Sequence, residues 1–312
     1  MKKSILITGA AGFIGSHLCD KFIGDGFNVI GIDNFYTGSL NNICHLKNNS
    51  CFKFIETDIT KPFEINEHID YILNFACPAS PVAYQKDPIF TLNTCFNGVL
   101  NALEIAKKNK AIFLQASTSE VYGDPLEHPQ KESYWGNVNP CGVRSCYDEG
   151  KRVGESLVFD FGRQNNFEVK VIRIFNTYGP RMDRQDGRVV SNFIVQALNN
   201  EPITVYGKGD QTRSICYVSD LVSGIDKMLF SAAGFRGPVN LGSDFEITIE
   251  DLAKKVIELT GSKSKIVYEK LPSDDPKKRR ADLTLARKKL GYEPKISIDE
   301  GLKKTIDFFK QS

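Results

Sequence analysis

The sequence lacks the features that mark metal-binding and disulfide-rich proteins. Its four histidines (His17, His45, His68 and His128) form no ligand-type cluster with the eight cysteines, and no two cysteines form a Cys-x-x-Cys pair. We therefore expect reduced, partly buried thiols and no metal site. Because thiols of this kind persist in a reducing compartment and no export signal is present, the sequence predicts a cytoplasmic protein.

Long hydrophobic runs and a large net charge are also missing. No apolar stretch is long enough to cross a bilayer, and the short apolar segment near the N-terminus runs directly into a glycine turn, unlike a signal peptide. The formal net charge of +2 argues against nucleic acid or an anionic membrane as the main partner. The 312 residues suffice for one large or two smaller domains.

A glycine turn follows the first apolar segment. Residues 4–8 predict a strand, Gly9, Gly12 and Gly15 follow at Gly-x-x-Gly-x-x-Gly spacing, and a helical pattern comes next. Glycine allows close approach of a pyrophosphate, and a helix N-terminus offers free N–H groups to it. Asp33 ends the second predicted strand, where an acid can bind both ribose hydroxyls and repels a 2′-phosphate. The pattern favours NAD over NADP.

Strands and helices then alternate, which predicts an α/β fold with a doubly wound parallel sheet. The predicted strands are 4–8, 28–33, 52–56, 71–75, 111–116, 169–175 and 239–241. The predicted helices include 89–108, 144–164, 189–199, 218–230, 249–260, 284–290 and 299–310. A strand pair is predicted at 203–206 and 213–216, joined by a glycine turn. We expect an NAD-binding Rossmann domain of residues 1–177 plus 215–244, and a smaller mixed α/β substrate lobe of residues 178–214 plus 245–312.

Four reactive groups lie between positions 117 and 151. Tyr147 and Lys151 are four residues apart and share one helix face. A neighbouring cation favours the phenolate, so this pair predicts a general base near neutrality. Thr118 and Glu120 follow a strand whose carboxyl end faces the expected ligand site. A Tyr-x-x-x-Lys spacing alone is a weak signal, but the glycine turn strengthens it.

Together these motifs resemble the extended short-chain dehydrogenase/reductase family of nucleotide-sugar epimerases, 4,6-dehydratases and decarboxylases. The resemblance covers nearly the whole chain and is most specific for decarboxylases acting on UDP-glucuronate. It rests on Ala-Cys-Pro-Ala-Ser-Pro at 76–81, Ser-Thr-Ser-Glu-Val-Tyr-Gly-Asp-Pro at 117–125, Tyr-Trp-Gly-Asn-Val-Asn-Pro at 134–140 and the segments 144–152, 175–182 and 186–193. Members in the Golgi carry an N-terminal membrane anchor, and this chain resembles the soluble form.

The resemblance implies a reaction and roles for five residues. Tightly bound and recycled NAD+ takes a hydride from sugar carbon 4 and later returns it. Tyr147 corresponds to the base, Lys151 to the cation that lowers its pKa, and Thr118 to a hydrogen-bond partner of the reacting oxygen. The 4-ketone is a β-keto acid that loses CO2. Glu120 corresponds to the acid near carbon 5, and Arg279, in a basic run at 277–280, to the partner of the sugar carboxylate.

The resemblance also implies two sets of binding residues. The cofactor set is Gly9, Gly12, Phe13, Ile14, Gly15, Asp33, Asn34, Phe35, Thr37, Gly38, Asp58, Ile59, Ala76, Tyr147 and Lys151. The substrate set is Pro78, Ala79, Ser80, Pro81, Ser119, Glu120, Arg144, Asn176, Arg181, Arg188, Thr204, Tyr206, Gln211, Arg213 and Arg279. A homodimer joined by a four-helix bundle is expected, built from the helix near 90–108 and the helix that carries Tyr147.

Alternative functions stay open. Simple 4-epimerases tend to have no acid at the position of Glu120, and 4,6-dehydratases usually have Asp-Glu where this chain has Ser119-Glu120, so the pair favours a decarboxylase. A decarboxylase that releases the UDP-4-keto-pentose instead of UDP-xylose would carry the same residues. A non-catalytic NAD-binding interaction protein is disfavoured, because such proteins should lose the tyrosine, the lysine or the glutamate.

Overall fold

A seven-stranded parallel sheet forms the centre of the computed structural model, which describes residues 2–270 and 278–311. Its strands are β1 (Ser4–Thr8), β2 (Asn28–Asp33), β3 (Phe52–Glu56), β4 (Tyr71–Asn74), β5 (Ile112–Thr118), β6 (Val169–Ile174) and β11 (Val239–Leu241). The spatial order is β11-β6-β5-β4-β1-β2-β3. The predicted α/β fold is confirmed. The order reverses between β1 and β4, and ligands bind outside the carboxyl ends of strands at such a point.

Helices cover both faces of this sheet. They are α1 (Phe13–Gly24), α2 (Pro81–Lys86), α3 (Pro88–Asn93), α4 (Val99–Asn109), α5 (Ser145–Asn165) and α7 (Val218–Leu229). Since neighbouring strand residues point to opposite faces, Ile5 and Ile7 pack with α1 and α7, whereas Leu6 packs with α4 and α5. Burial on both faces explains why the strands read as continuous apolar runs.

The remaining elements build a smaller lobe of short strands and helices. They are β7 (Thr177–Tyr178), α6 (Val189–Leu198), β8 (Ile203–Tyr206), β9 (Thr212–Ser214), β10 (Cys216–Tyr217), β12 (Glu246–Thr248), α8 (Ile249–Thr260), β13 (Ile266–Glu269), β14 (Lys278–Arg279), α9 (Thr284–Leu290) and α10 (Ile298–Gln311). One hydrophobic cluster runs from the large sheet into this lobe, and it includes Ile172, Phe193 and Leu302. Position 277, at the start of the basic run, lies outside the described residues.

The predicted strand pair at 203–206 and 213–216 is wrong. β8 pairs in parallel with β13, and β9 pairs with β12 and β14. The turn between β8 and β9 redirects the chain from one small sheet to another. Gly207 donates its N–H to the Glu269 carbonyl at the end of β13, and the Gly209 carbonyl accepts from the N–H of Glu250 in α8. The two glycines therefore bond to two different elements of the lobe.

The single helix predicted at 89–108 is interrupted. α3 and α4 are separated by a π-helical turn at Thr94–Gly98. The Thr94 hydroxyl donates to the Phe90 carbonyl at 2.8 Å, a side-chain bond that competes with the regular helix ladder. α5 lies close to this turn: a Cβ on its Gly150 would be 3.0 Å from the Cys95 sulfur.

No helix among residues 2–270 and 278–311 combines the length and apolarity needed to cross a bilayer.

Gly15 is required for the tight glycine turn, and its replacement tests that requirement. A Cβ there would meet the Gly9 carbonyl oxygen at 2.0 Å, so Gly15→Ala should lower the free energy of unfolding by about 1–3 kcal/mol. Gly24→Ala is the matched control in the same helix, because its Cβ would meet nothing within 4 Å; it should change stability by no more than about 1 kcal/mol. Urea unfolding at matched cofactor content measures both, and equal stabilities would contradict the packing argument.

Candidate active site

A short helical turn after β5 presents the first reactive groups. Thr118 ends the strand, and its hydroxyl accepts the N–H of Glu120 at 3.2 Å, which caps the 3-10 turn Ser119–Tyr122. Ser119, Val121 and Tyr122 are buried. The turn therefore holds Glu120 at the carboxyl end of the strand, at the edge of the sheet where ligands bind.

A buried hydrogen-bond network fixes this turn from behind. The Ser117 hydroxyl donates to Glu155 on α5 at 2.6 Å, and Arg173 of β6 donates to both oxygens of Glu155 at 2.9 and 2.8 Å. The Tyr122 hydroxyl donates to Asn240 of β11 at 2.7 Å. Paired guanidinium and carboxylate groups with satisfied neighbours hold a rigid geometry. The turn is thus anchored to β6 and β11, which lie on one side of β5, and to α5.

Glu120 lies between two arginines. Arg144, just before α5, donates to one carboxylate oxygen at 2.7 Å, and Arg279 of β14 donates to the other. Arg279 is 3% exposed and also donates to the Gly123 carbonyl at 2.8 Å. Burial alone would raise the pKa of Glu120, but the charges of Arg279 and Arg144 outweigh it and lower that pKa to about 2. This carboxylate stays ionised at neutral pH while both arginines face it.

Tyr147 and Lys151 lie on one face of α5, as predicted. The Lys151 ammonium donates to the Ala116 carbonyl at 3.0 Å and lies 5.7 Å from the centre of the Tyr147 ring. Tyr84 of α2 stacks on the Tyr147 ring, with centroids 5.1 Å apart and planes 4° from parallel. The phenol is thus held by stacking on Tyr84, and the ammonium by its hydrogen bond to Ala116.

The residues of this chain alone do not give Tyr147 the expected low pKa. Burial raises the pKa of the phenol to about 12, although Lys151, Thr118 and Arg188 each pull it down. Desolvation disfavours the charged phenolate more than one buried ammonium favours it. A base near neutrality therefore requires a further positive charge in the site.

A cleft of about 470 Å³ unites most of the predicted substrate residues with the reactive groups. Its lining includes Thr118, Ser119, Glu120, Tyr147, Lys151 and Ile14, and, from the substrate set, Ala79, Pro81, Arg144, Asn176, Arg188, Thr204, Tyr206, Gln211, Arg213 and Arg279. Arg188 donates to the Ala79 carbonyl at 2.9 Å, which ties the lobe to the loop after β4. Arg213 is buried in this wall. The cleft thus spans both parts of the molecule.

Three predicted substrate residues do not line this cleft. Arg181 has a left-handed backbone and pairs with Asp20 of α1 at 2.7 Å. Ser80 caps α2 by accepting the N–H of Ala83 at 3.4 Å, and Pro78 lies beside it in the loop after β4. The structure gives Arg181 and Ser80 local structural partners, so their contacts with a substrate stay predictions.

A second, smaller cavity of about 180 Å³ lies on the other side of Glu120. Glu120, Arg144 and Arg279 line both spaces, whereas Asp148 lines the smaller cavity and not the cleft. We call this space the side cavity. It is also lined by Gly123, Asp124, Asn137, Val138, Asn139 and Gly142.

The first glycine turn suits a dinucleotide. The N-terminus of α1, at Gly12, carries no side-chain cap, so the first N–H groups of that helix can donate to phosphate oxygens. Asp33 is buried at the end of β2 and accepts the N–H of Ala11 at 2.9 Å and of Phe35 at 2.8 Å. A Cβ on Gly38 would lie 2.9 Å from the Asp33 oxygens, so only glycine leaves this carboxylate accessible.

The other predicted cofactor residues lie around the same edge of the sheet. Asp58 accepts the N–H of Thr60 at 2.9 Å, and Ile59 is buried beside Gly98. The Ala76 N–H donates to Thr8 at 3.1 Å at the end of β4. Phe13 and Gly15 open α1, and Asn34 and Thr37 lie in the loop after β2. These residues follow the carboxyl ends of β1 to β4, where the parallel strands converge.

Sequence reasoning missed Tyr84, Asp148 and Cys77. Tyr84 lies three residues after the singled-out segment 76–81, and Asp148, the immediate neighbour of Tyr147, lies within the segment 144–152. Cys77 lines the cleft, and the Cys95 and Lys151 side chains beside it outweigh its burial and lower its pKa to about 7. Burial is the missing signal, because a single sequence does not reveal it for polar side chains.

Histidine, cysteine and carboxylate side chains form no group of three suited to a metal ion within residues 2–270 and 278–311.

Comparisons with known proteins agree with this geometry. A family model described as GDP-mannose 4,6 dehydratase matches residues 6–305. UDP-glucuronic acid decarboxylase 4 of Arabidopsis thaliana is 51% identical over 98% of this chain and 68% of its own length. UDP-glucuronic acid decarboxylase 5 of the same plant is 52% identical over 96% of this chain and 86% of its own.

A solved structure extends the likeness to the fold. UDP-glucuronic acid 4-epimerase from Bacillus cereus, in complex with UDP-glucuronic acid and NAD, superposes with a TM-score of 0.88 at 30% identity over 99% of both chains. The chain therefore belongs to the extended short-chain dehydrogenase/reductase family, and within it to the group of the UDP-glucuronic acid decarboxylases.

Proposed function

We propose that the protein decarboxylates UDP-glucuronate to UDP-xylose and that it retains and recycles NAD+. The observation that carries this proposal is Glu120, ionised between Arg144 and Arg279, at the end of the strand that also presents Thr118. A simple oxidation at carbon 4 needs a base and a cation, but it needs no buried carboxylate with two arginines. Decarboxylation needs cations for the sugar carboxylate and an anionic group near carbon 5. The names of the sequence relatives support the same reaction.

The cofactor would be held by the glycine turn, Asp33 and Lys151. When bound there, NAD+ would supply the hydride acceptor for sugar carbon 4 and an additional positive charge in the site. With that charge added to Lys151, the phenolate becomes accessible near neutrality. Tyr147 then removes the proton from the 4-hydroxyl, and Thr118 donates a hydrogen bond to the same oxygen. Water is excluded here, since Tyr147 and Lys151 are 6% and 7% exposed.

The same groups return the sugar to its reduced state. Oxidation at carbon 4 leaves a β-keto acid, whose bond to CO2 breaks because the electron pair delocalises into the ketone as an enolate. Arg279 and Arg144 hold the carboxylate beforehand, through guanidinium groups that already face an anion in Glu120. After CO2 leaves, carbon 5 takes up a proton near Glu120. Tyr147 then gives its proton back to the 4-oxygen as the hydride returns.

The nucleotide would lie along the lobe side of the cleft. Asn176, Arg188, Thr204, Tyr206, Gln211 and Arg213 line that side. We propose that Arg213 and Arg188 both provide positive charge for the diphosphate. We propose the same division of the chain as the sequence predicts, 1–177 plus 215–244 for NAD and 178–214 plus 245–312 for the nucleotide sugar. The entry of β11 into the large sheet supports it.

The decisive test supplies UDP-glucuronate and no added cofactor. We expect CO2 and UDP-xylose over many turnovers, because the cofactor carried through purification is regenerated in each cycle. Product identity is read by NMR and mass spectrometry. A 4-keto pentose with accumulating NADH would indicate release of the intermediate. A UDP-hexuronate epimer without CO2 would indicate an epimerase, and no product at all would remove the enzyme proposal.

Removal of the Tyr147 hydroxyl should stop the first step. Tyr147→Phe keeps the ring stacked on Tyr84 but removes the base, so turnover should fall by about a hundredfold or more. Tyr84→Phe is the matched control, since its hydroxyl finds no hydrogen-bond partner among the described residues; it should keep most of the activity. Initial rates and melting temperatures are compared for both. Full turnover by Tyr147→Phe would contradict the assignment.

We propose a homodimer through the helices around α3 and α5. Ile89 is 73% exposed, Phe96 45% and Val153 43%, so this face presents apolar side chains to solvent in the single chain. The π-helical turn and α5 lie side by side here. A self-complementary apolar patch of this kind suits a twofold interface.

The eight free thiols also support the proposed cytoplasmic location.

A charge on this face should separate the subunits. Ile89→Glu places a carboxylate in the proposed interface, where it would be desolvated, so sedimentation velocity should shift from dimer towards monomer. Leu40→Glu is the control, because Leu40 is 61% exposed in the 3-10 turn Leu40–Asn42 on another surface. A wild-type protein that sediments as a monomer, or an unaltered Ile89→Glu dimer, would contradict the proposal.

A further inference from the structure

The side cavity contains a second buried carboxyl group, that of Asp148. The residue is 7% exposed, and its Oδ1 atom has no hydrogen-bond partner among the described residues. Its Oδ2 atom lies 3.9 Å from the Nε atom of Arg144, too far for a hydrogen bond. A buried carboxyl group with an unsatisfied oxygen is unfavourable as an anion. The burial of Asp148 therefore needs an explanation, because the oxidation at carbon 4 and the loss of CO2 give this residue no role.

Tyr147 and Asp148 serve different spaces. Tyr147 lines the cleft and Asp148 lines the side cavity, because adjacent residues project about 100° apart on a helix. Glu120, Arg144 and Arg279 separate the two spaces and line both. With a volume of about 180 Å³, the side cavity has room for several water molecules in contact with polar groups. The side cavity thus gives Asp148 and Glu120 a common space that can hold water.

The proposed reaction has an unanswered requirement for one proton. The proton that Tyr147 takes from the 4-hydroxyl is returned at the end, and so is the hydride. The bond between carbon 5 and the carboxylate breaks, its electron pair stays on carbon 5, and CO2 leaves. A new bond to hydrogen then forms at carbon 5. Each turnover therefore consumes one proton from solvent, and it must reach the Glu120 side of the sugar.

Glu120 cannot store this proton while both arginines face it, because its pKa is held at about 2. Asp148 can. Burial, then the negative charge of Glu120, raise the pKa of Asp148 to about 7 against the opposing pull of Arg144 and Arg279. The titratable or charged groups near it in the described chain are Glu120, Arg144, Arg279, Glu149, Cys146, Tyr84 and, across the side cavity, Asp124.

We propose that Asp148 and the side cavity form the proton entry route of the site, with Asp148 acting through Glu120 to supply the hydrogen added at carbon 5. The O–H bond of Asp148 breaks as the proton moves through cavity water towards Glu120 and carbon 5. Asp148 then regains a proton from solvent water along the same cavity. The inference rests on the proposed decarboxylation. Asp148 does not line the cleft, so it acts on carbon 5 only through Glu120.

A purely structural role for Asp148 predicts a different result. If the residue only orients Arg144, its neutral analogue should disturb the carboxylate site and change the KM for UDP-glucuronate. It should also slow the reaction equally at every pH. A proton route instead predicts a defect confined to the second half of the reaction, after CO2 has left.

The experiment compares Asp148→Asn with wild type as holoenzymes. We expect kcat near neutral pH to fall about 10- to 100-fold with KM changed less than about twofold. The first hydride transfer, measured in a single turnover from the near-ultraviolet absorbance of the reduced nicotinamide, should keep its rate. The reduced cofactor should accumulate in the steady state, and imidazole buffer, a small proton donor, should restore part of kcat. An unchanged kcat, or a slower first transfer, would overturn the inference.

Glu149→Gln is the matched control. Glu149 is the next carboxylate on the same helix, pairs with Arg152 at 3.4 Å and lines neither cavity. It should leave kcat and the steady-state level of reduced cofactor unchanged, and a defect equal to that of Asp148→Asn would count against the route.

A second measurement needs no variant and covers the case in which Asp148→Asn does not fold. In wild type, the steady-state fraction of reduced cofactor should rise as the pH goes from about 6 to about 8.5, because Asp148 loses its stored proton over this range. A fraction that does not change with pH would overturn the inference. If wild type releases no CO2 from UDP-glucuronate at all, the proposed function itself fails; if it does and Asp148→Asn matches it throughout, only the proton route fails.

Discussion

The contact of Glu120 with Arg144 and Arg279 is the interaction on which the site depends. It joins three distant parts of the chain: the turn after β5, the segment before α5, and β14 in the smaller lobe. Without cationic partners, partial burial would raise the pKa of this carboxylate. The buried guanidinium group of Arg279 would likewise be unfavourable without an anion beside it. Each member therefore requires the other two, and their contacts hold the two lobes together at the proposed active site.

This arrangement lets one carboxylate serve two environments. On one side of Glu120 lies the cleft, with the phenol and ammonium of α5. On the other side lies the side cavity, with Asp148. Hydride chemistry needs a dry environment, because water would stabilise charges that the protein must hold itself. Proton supply needs water. In the proposed mechanism, Glu120, Arg144 and Arg279, which line both spaces, lie between these two environments.

The large sheet was readable from the sequence because its strands are continuous apolar runs punctuated by glycine and by helices. The helices of the smaller lobe were readable as well, but the pairing of its strands was not. β8 pairs with β13 some sixty residues later, and strands of two to four residues carry too few side chains to show a pattern. The π-helical turn at Thr94–Gly98 leaves the apolar spacing of the helix nearly intact, so the prediction of one helix at 89–108 missed it.

Within the site, motif and resemblance identified the groups that line the cleft, but they could not predict burial. The sequence places Tyr147 four residues before Lys151 and suggests a lowered pKa for the phenol. In the structure, burial raises that pKa instead. Asp148 reads as an ordinary surface acid on a helix. Arg181 resembles a diphosphate contact, yet it pairs with Asp20. Each difference comes from tertiary surroundings that no local pattern encodes.

The position of Arg279 along the chain has a consequence for biosynthesis. It comes 159 residues after Glu120, and β14 pairs with β9 to reach it. The glycine turn, Tyr147 and Lys151 all leave the ribosome earlier, since synthesis proceeds from the N-terminus. A growing chain can therefore assemble its nucleotide-binding half while Glu120 still lacks one of its two cations. The contact of Arg279 with Glu120 therefore forms last. A chain that terminates before Arg279 would carry the glycine turn, Tyr147 and Lys151 but would lack this contact.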